Sequence, residues 1–586
     1  MSYNDLFNEA IKHFDNGNYE DAEALLRQIS ITAPDNPEVL NMLGLIAQAK
    51  GLHSQACPLF SAALRIKPDT ASYCFNLAFS LKALGQYSEA LDKYNKVLSL
   101  APAVVETHNE IACIYENQNQ LDKARMHWQT ALQMNPDYTT AKINLANSYR
   151  FDNPAKAIED LILISAQYPN EAAIWYNLSW LYFSSEEFIQ ALKYAQKAII
   201  LAPQSDTAHY LLGLCFLHTN DISSAKKHFL HSEEINTDNF DAKLCLADIY
   251  SRENQFDKAE TRYKRLIELN PSHYGCHNNY AEMLTRQNRF PEALEECRKA
   301  VILAPNFAEV SNNLGAILRE IGEYREALGL FFNALSLNPD LKEASLNIWE
   351  TLVLFSATNE DEALKIALNW QKSYPNDIFA NQAVSALKGD NIANNKIFTE
   401  QLFDNFADNY EVVMQNLDYS APLAIRRIAG NLEGRIVDLG CGSGLVGVAV
   451  KKASNYLIGV DISEQMLKKA ANKNIYSELI KSDIIEFLTT RQDYDWLIAA
   501  DVLCYMGDLH QFFALSKNKN LIFTIEYSDN ENFQIQNNGR FKHNPSYIEH
   551  LLALNQYNEI TKEEIILRTE NQEQVKGIIY KAIRKD

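Results

Sequence analysis

At 586 residues the chain exceeds what one hydrophobic core can organise, so several domains or a repeat array are expected. With 47% hydrophobic and 22% charged residues it reads as a globular protein; no apolar run is long enough to cross a bilayer, and the Met1–Phe7 start gives no expectation of a secretory signal. The net charge of −21 divides into −15 before residue 390 (33 basic against 48 acidic side chains) and −6 from there on (21 against 27), so neither part carries the basic footprint of a nucleic-acid binder. Nine scattered cysteines without a C-x-x-C pair argue against a disulfide framework or a Cys-based zinc site. They point to a reducing cytoplasm.

The first 375 residues repeat. Prolines stand at 34, 68, 102, 136, 169, 203, 271, 305, 339 and 375, and Thr237 takes the one missing slot. Twelve residues before most of them lies an alanine, as at Ala22, Ala56, Ala90, Ala225 and Ala327. Four residues further on comes a larger side chain, as at Phe60, Tyr94, Trp128, Phe229, Tyr263 and Phe331. Pairs such as Leu43-Gly44, Leu77-Ala78, Leu212-Gly213 and Leu314-Gly315 mark where two helices must approach closely. A small residue at the crossing, a large one a turn later and a closing proline describe a helix–turn–helix unit that resembles the tetratricopeptide repeat. The resemblance covers eleven units, from about Tyr3 to Pro375, and implies a right-handed superhelix with a concave face. The fifth unit loses a residue near 150–152 and the eleventh gains two near 357–359, so irregularity is expected at both places.

Asn8, Asn76, Asn144, Asn177, Asn279, Asn313 and Asn347 share one slot of the first helix. Such a column can grip an extended peptide through amides that both donate and accept, or it can serve packing between repeats. It resembles the ladder in repeat domains that feed protein substrates to a fused glycosyltransferase. The acidic balance adds a preference for basic peptides.

A capping helix is expected over 378–387, and the polar stretch 388–395 places a domain boundary: repeats over 1–390, a second domain over 391–586. Within the latter, 391–430 carries apolar residues at helical spacing, with Phe406 and Tyr410 as candidate walls of a lid or as an amphipathic linker.

The second domain opens with Arg435-Ile-Val-Asp438-Leu-Gly440-Cys441-Gly442-Ser443-Gly444, three β-formers running into an acid and alternating glycines. A strand ending in a turn without side chains lets a ligand touch the backbone, ahead of a helix expected over 445–453. Strands then alternate with helices: strand 456–460 ending in Asp461, Ser463 capping helix 464–472, and strand 478–481 before Ser482-Asp483 and helix 484–490. Strand 496–500 ends in Asp501, helix 509–516 follows, and strand 521–525 precedes Glu526. An antiparallel hairpin closes the chain over 565–567 and 575–583, around Asn571-Gln572-Glu573.

Gly442-Ser-Gly444-Leu-Val-Gly447 matches the dinucleotide fingerprint, with Asp461 seventeen residues on. Three features favour another cofactor: Asp438 ahead of the glycines suits a cationic amine, Asp483 offers an acid to an adenine amino group, and no second substrate domain follows. The set resembles a class I S-adenosylmethionine-dependent methyltransferase with a Rossmann-like α/β fold, from about 396 to 584. More narrowly, the stretches around Tyr410, Asp501 to Asp508 and Gly539 to Tyr547 look like predicted bacterial methyltransferases that carry tetratricopeptide repeats.

The resemblance implies S-adenosylmethionine contacts at Asp438, Gly440, Cys441, Gly442 and Gly444 for the methionine portion. It implies Asp461 and Ile462 at the ribose, Ser482, Asp483 and Ile484 at the adenine, and Tyr410 and Asp501 beside them. Asp501, Tyr505 and His543 are the catalytic candidates, with Asp501 orienting or deprotonating the acceptor and His543 either a general base or a surface histidine. His510, Glu526 and Arg540 are further candidates, Arg540 for an acidic group of the substrate. Asn76, Asn144, Asn177, Asn279, Asn313 and Asn347 are the candidate peptide contacts. No metal, nucleic acid or membrane is expected. The strand end Ala499-Ala-Asp-Val502 lacks the Asn/Asp-Pro-Pro-aromatic turn of methylases acting on amide or exocyclic base nitrogens. The expected activity is methylation of a protein or peptide brought by the repeats, the alternatives being a small-molecule methyltransferase and an inactive interaction scaffold.

Overall fold

The computed structural model describes residues 3–390, 396–453, 456–529, 532–570 and 573–584. Part of the expected polar break (391–395) and Asn571 and Gln572 of the expected hairpin turn lie outside the described residues. Eleven helix pairs run from Tyr3–Asp15 and Tyr19–Thr32 to Lys342–Ser356 and Glu360–Ser373, and helix Ile378–Lys388 follows. The pairing rule is steric. A Cβ at Gly44, Gly213 or Gly315 would stand 2.6–2.7 Å from the ring of Phe60, Phe229 or Phe331, and these rings are fully buried. In nine of the eleven pairs the turn uses a left-handed residue, supplied by Gly17, Gly51, Gly85 and Gly322, by Asn119, Asn220, Asn254 and Asn288, and once by Glu186. The two irregular units are the ones expected: Thr139–Asn147 has only nine residues, and Lys342–Ser356 has fifteen.

The chain divides into two compact units, Met1–Arg262 and Tyr263–Asp586, so the last repeats belong to the same unit as the α/β domain. In the first unit, His209 and His228 face each other, Nδ1 to Nδ1, at 3.0 Å, and His209 Nε2 lies 3.2 Å from the Pro203 carbonyl. With Nε2 donating to that carbonyl, Nδ1 of His209 accepts from His228, so the pair is neutral. Burial, then the neighbouring ring, pushes His228 down to about 4. The unfolded chain therefore binds more protons between pH 6.5 and 4, and stability present above pH 6.5 is lost as pH falls through that window. Discounted for a half-buried ring, the loss is on the order of 1 kcal/mol. We expect the melting midpoint to fall on acidification from pH 7 to 5 and His228→Gln to flatten that dependence; equal slopes for the two proteins would refute it.

The α/β domain has a seven-stranded sheet of order β3-β2-β1-β4-β5-β9-β8. β1 (Arg435–Leu439), β2 (Tyr456–Asp461), β3 (Glu478–Lys481), β4 (Trp496–Ala499) and β5 (Asn520–Glu526) are parallel. β9 (Glu573–Ile583) is antiparallel to both β5 and β8 (Glu559–Glu570). One face buries Phe487, Phe512, Phe513 and Tyr547; the other packs on helix Ala421–Ala429. The terminal hairpin is longer than expected because β9 pairs along the length of β5 as well as with β8. A short hairpin of β6 (Phe533–Ile535) and β7 (Phe541–His543) was not foreseen.

Candidate functional site

The carboxyl ends of β1 to β4 meet at one cleft of about 780 Å³, counting space open to solvent. At the tip of β1, Gly440, Gly442 and Gly444 have φ of +63°, +53° and +92°, the left-handed region that favours glycine. A Cβ at Gly440 would lie 2.4 Å from Val502, so the turn is also closed against the loop after β4. The turn is pinned from β2: Asp461 accepts from the Gly442 amide at 2.7 Å and from the Ser463 amide at 2.9 Å. Burial raises the Asp461 carboxyl to about 6 against these backbone hydrogen bonds.

Ten of the expected residues line the cleft: Gly440, Gly442, Asp461 and Ile462 from the first two strand ends, Ser482, Asp483 and Ile484 from the third, and Asp501, Tyr505 and Tyr410 around the mouth. Asp483 caps its helix by accepting from the Ile485 and Glu486 amides, and Lys396 reaches it at 2.9 Å. Helix Lys396–Phe406 adds Lys396, Thr399 and Phe403, a stripe at i, i+3 and i+7 beyond the residues expected from the sequence. Phe403, not Phe406, is the wall residue, set edge-on to Tyr505 at 5.2 Å between centroids. The same helix is tied to the domain through Asp404, which accepts from Ser463 Oγ at 2.6 Å, and through Glu400, which pairs with Lys481 at 2.8 Å.

Asp438, Cys441 and Gly444 do not line the cleft. Asp438 is buried behind the turn, where the Tyr476 hydroxyl donates to it at 2.6 Å and burial raises it to about 7. An amine facing the cleft therefore meets backbone and Asp461 before Asp438. Cys441 is buried too, its thiol pushed up by burial, which makes it inert as a nucleophile.

The catalytic candidates separate. His543 is not at the surface: it is fully buried in β7, its Nε2 is 3.0 Å from the Gly507 carbonyl, and burial lowers it to about 4. It does not line the cleft, so it is corrected from general base to structural histidine; period-two burial in a three-residue strand left no sequence signal. Arg540 likewise faces inward and does not line the cleft. Its guanidinium meets Asp501 at 2.8 Å and Glu526 at 3.0 Å and lies 5.2 Å from the centroid of the Tyr505 ring. Arg568 from β8 completes the cluster, holding both Asp501 oxygens at 3.1 Å and Glu526 at 2.6 Å, and pairing with Glu570. Against the desolvation of a largely buried position the two guanidinium groups hold Asp501 below the usual carboxylate range. Asp501 is thus a fixed negative charge at the cleft and a poor proton acceptor. Its own φ of +56° and its amide's bond to Thr524 Oγ1 at 2.7 Å fix the loop after β4. Asp501, Cys504 and Glu526 are near enough to hold a cation, but the two arginines already neutralise them. His510 lies on the surface, paired with Asp508 at 2.6 Å.

In the repeats the asparagine slot is spent partly on packing. Asn76, Asn144, Asn313 and Asn347 each donate to an asparagine of the preceding unit (Asn41, Asn109, Asn278 and Asn312) at 2.8–3.0 Å. Asn177 donates within its own helix to the Ala173 carbonyl. Asn279 lies beside Asn278, whose amide donates to it at 3.1 Å.

Residues 436–518 match the family described as "Methyltransferase domain". Residues 7–71, 71–104, 105–138, 172–205, 245–308 and 311–345 match families described as "Tetratricopeptide repeat". Among curated proteins, human Protein O-mannosyl-transferase TMTC1 is 26% identical over 173 residues, 29% of this chain and 20% of that protein. The Inactive TPR repeat-containing thioredoxin TTL3 of Arabidopsis thaliana is 30% identical over 93 residues, 16% of this chain and 14% of that one. The chain thus spans a fifth or less of these relatives. Among solved structures, yeast Tom70 is 18% identical, covering 65% of this chain and 95% of Tom70 with a TM-score of 0.34. YrrB, described as a TPR protein with an unusual peptide-binding site, is 22% identical, covering 32% and 96% with a TM-score of 0.26.

Proposed function

We propose that this chain, which carries tetratricopeptide repeats followed by a methyltransferase domain, is an S-adenosylmethionine-dependent enzyme whose repeats bring it a protein or peptide acceptor. The observation that carries the reading is the convergence of three strand-end acids, Asp461, Asp483 and Asp501, with the Gly440 and Gly442 backbone on one cleft. Such a donor set fits the cofactor's parts: a carboxylate for a ribose diol at Asp461, apolar Ile462 and Ile484 flanking an adenine with Asp483 to accept from its amino group, and bare backbone for the amino-acid end. The antiparallel β9, inserted between β5 and β8, also departs from the six-parallel-strand dinucleotide fold. Bound there, S-adenosylmethionine supplies a methyl group on a sulfonium, with a thioether as leaving group.

The chain's own residues align the acceptor and keep water out, through Phe403, Tyr410, Tyr505 and Met506 around the mouth. Asp501, held ionised by its two arginines, fixes the loop after β4 beside the reaction centre. We place the functional boundary at 390, with 391–430 as the lid over the cofactor. An amide such as Asn76 or Asn313, which spends one N–H on its neighbour, has a second N–H and an oxygen to offer, which supports these positions as peptide contacts. A cytoplasmic location is part of the proposal; all nine cysteines are unpaired, and no helix among the described residues is long and apolar enough to cross a membrane.

The test is transfer of labelled methyl from S-adenosylmethionine into cell lysate by the full chain and by residues 263–586 alone. A labelled protein with the full chain only, while both bind S-adenosylhomocysteine, is the expected result. Equal labelling of a small molecule by both would make the repeats a docking module instead. Failure of either to bind S-adenosylhomocysteine would leave an inactive scaffold.

A further inference from the structure

The eleventh repeat breaks a rule that the first helices of the other ten keep, a small residue at the helix crossing. Where other first helices carry Gly44, Ala78, Ala112, Gly213 or Gly315, this one carries Trp349. Where other second helices carry a large side chain such as Phe60, Phe229 or Phe331, this one carries Ala367. The two-residue insertion at 357–359 lies between these two slots, so the crossing of this unit is built from a large first-helix residue and a small second-helix one. The consequence is directional. A ring from the second helix packs inward against the first, as Phe60 does on Gly44. Trp349, on the first helix, is 4% exposed and meets Phe398 and the β6–β7 turn.

It touches two elements there. Phe398, itself 2% exposed, stands edge-on to Trp349 at 5.4 Å and to Phe379 of the capping helix at 5.6 Å. Phe398 lies on helix Lys396–Phe406, whose Lys396, Thr399 and Phe403 line the cleft. The second element is the β6–β7 turn. Gly539 has φ +76°, and a Cβ on it would come within 3.1 Å of Gln382 and 3.3 Å of the indole. Asn537 in the same turn donates to Ser356 Oγ at 3.2 Å. The residue after Gly539 is Arg540, which enters the ion cluster with Asp501 and lies over Tyr505. One indole therefore backs both the helix that covers the cleft and the turn that aims Arg540 at its floor.

We propose that Trp349 is a positioning residue of the methyl-transfer site, so that the last repeat is a structural part of the cofactor cleft and not a separable tether. The proposal rests on the cofactor reading above. It makes the covering helix and Arg540 respond together to any change in the last repeat, because both are packed on the same side chain.

Full-length wild type, Trp349→Ala and Trp349→Phe are titrated with S-adenosylhomocysteine by calorimetry, and amide hydrogen exchange is followed over 396–406 and 536–543. Trp349→Ala is expected to weaken binding about tenfold or more and to speed exchange in both segments, with residues 3–262 unchanged. Trp349→Phe, which keeps a ring against Phe398, is expected to recover most of both effects; a role confined to general stability would shift the melting midpoint without this graded affinity. Affinity of Trp349→Ala within about twofold of wild type overturns the proposal, whatever the exchange shows. Should Trp349→Ala fail to fold, Phe398→Leu in the full chain is judged by the same readouts and thresholds. Absence of binding by the wild type is a different failure, that of the cofactor reading, and is visible before any variant is made.

Discussion

Asp461→Ala is expected to weaken S-adenosylhomocysteine binding by about 100-fold or more, measured by calorimetry. The side chain has two tasks. It presents a carboxylate to the cleft, and it ties the Gly442 and Ser463 amides, so its loss removes a ligand acceptor and loosens the glycine turn together. Hydrogen bonds to a charged partner contribute about 1.5–3 kcal/mol each, more than any single apolar contact around the cleft. Burial already raises this carboxyl from 3.8 to about 6. The folded protein thus holds the proton more tightly than the unfolded chain, and its stability falls as pH climbs through that window. Ligand hydroxyls that donate to the ionised form reverse the shift, so affinity should rise from pH 5 to 7 with proton release, and Asp461→Asn should lose the Asp461 part of that slope. An Asp461→Ala protein that binds within about threefold of wild type would sink the assignment.

The largest expected effect on stability is at Arg568. It is 1% exposed and faces Asp501, Glu526 and Glu570, with Arg540 as a second cation of the cluster. Two guanidinium groups against three carboxylates leave the cluster one negative charge in excess; Arg568→Met would raise that to two, with Asp501 and Glu526 deep in the domain. Removing one partner of a buried pair typically costs about 3–5 kcal/mol because the remaining charge stays unsolvated. Denaturant unfolding of the unit containing the α/β domain should show a loss of that order, partly restored by adding Glu526→Gln, which removes one of the stranded charges. A loss below about 1 kcal/mol would mean the cluster is solvated enough to reorganise and does not fix Asp501. The variant also releases Asp501 toward a higher pKa, the condition under which it would act as a base.

What the sequence by itself determined is what depends on local spacing. The period of 34 follows from a steric rule repeated in most units, small against large at a helix crossing, so prolines and alanines announce it without any knowledge of the fold. The strand-end acids were legible for a similar reason: a short parallel strand ends where its apolar run stops, so Asp461, Asp483 and Asp501 could be placed at one edge before the sheet order was known. The lid stripe Lys396, Thr399 and Phe403 stands in the sequence at i, i+3 and i+7, but Phe403 and Phe406 are the same residue type on one helix, and only packing decides which of them faces the cleft.

Tertiary structure alone decided which of those groups are free to act. His543 and Arg540 look alike in sequence, polar residues in a glycine-flanked stretch, yet one is buried against a backbone carbonyl and the other neutralises Asp501. Their partners come from elsewhere in the chain, Gly507 for one and Asp501 and Glu526 for the other. Arg568, in the terminal hairpin, was not singled out at all, because only the insertion of β9 beside β5 brings β8 near Asp501. Asp438 shows the same limit: its position at the end of β1 was plain, but whether it faces ligand or core depends on Tyr476, 38 residues later. Charge, burial and the pKa that follows are sums over neighbours distant in sequence, and only the folded chain supplies those neighbours.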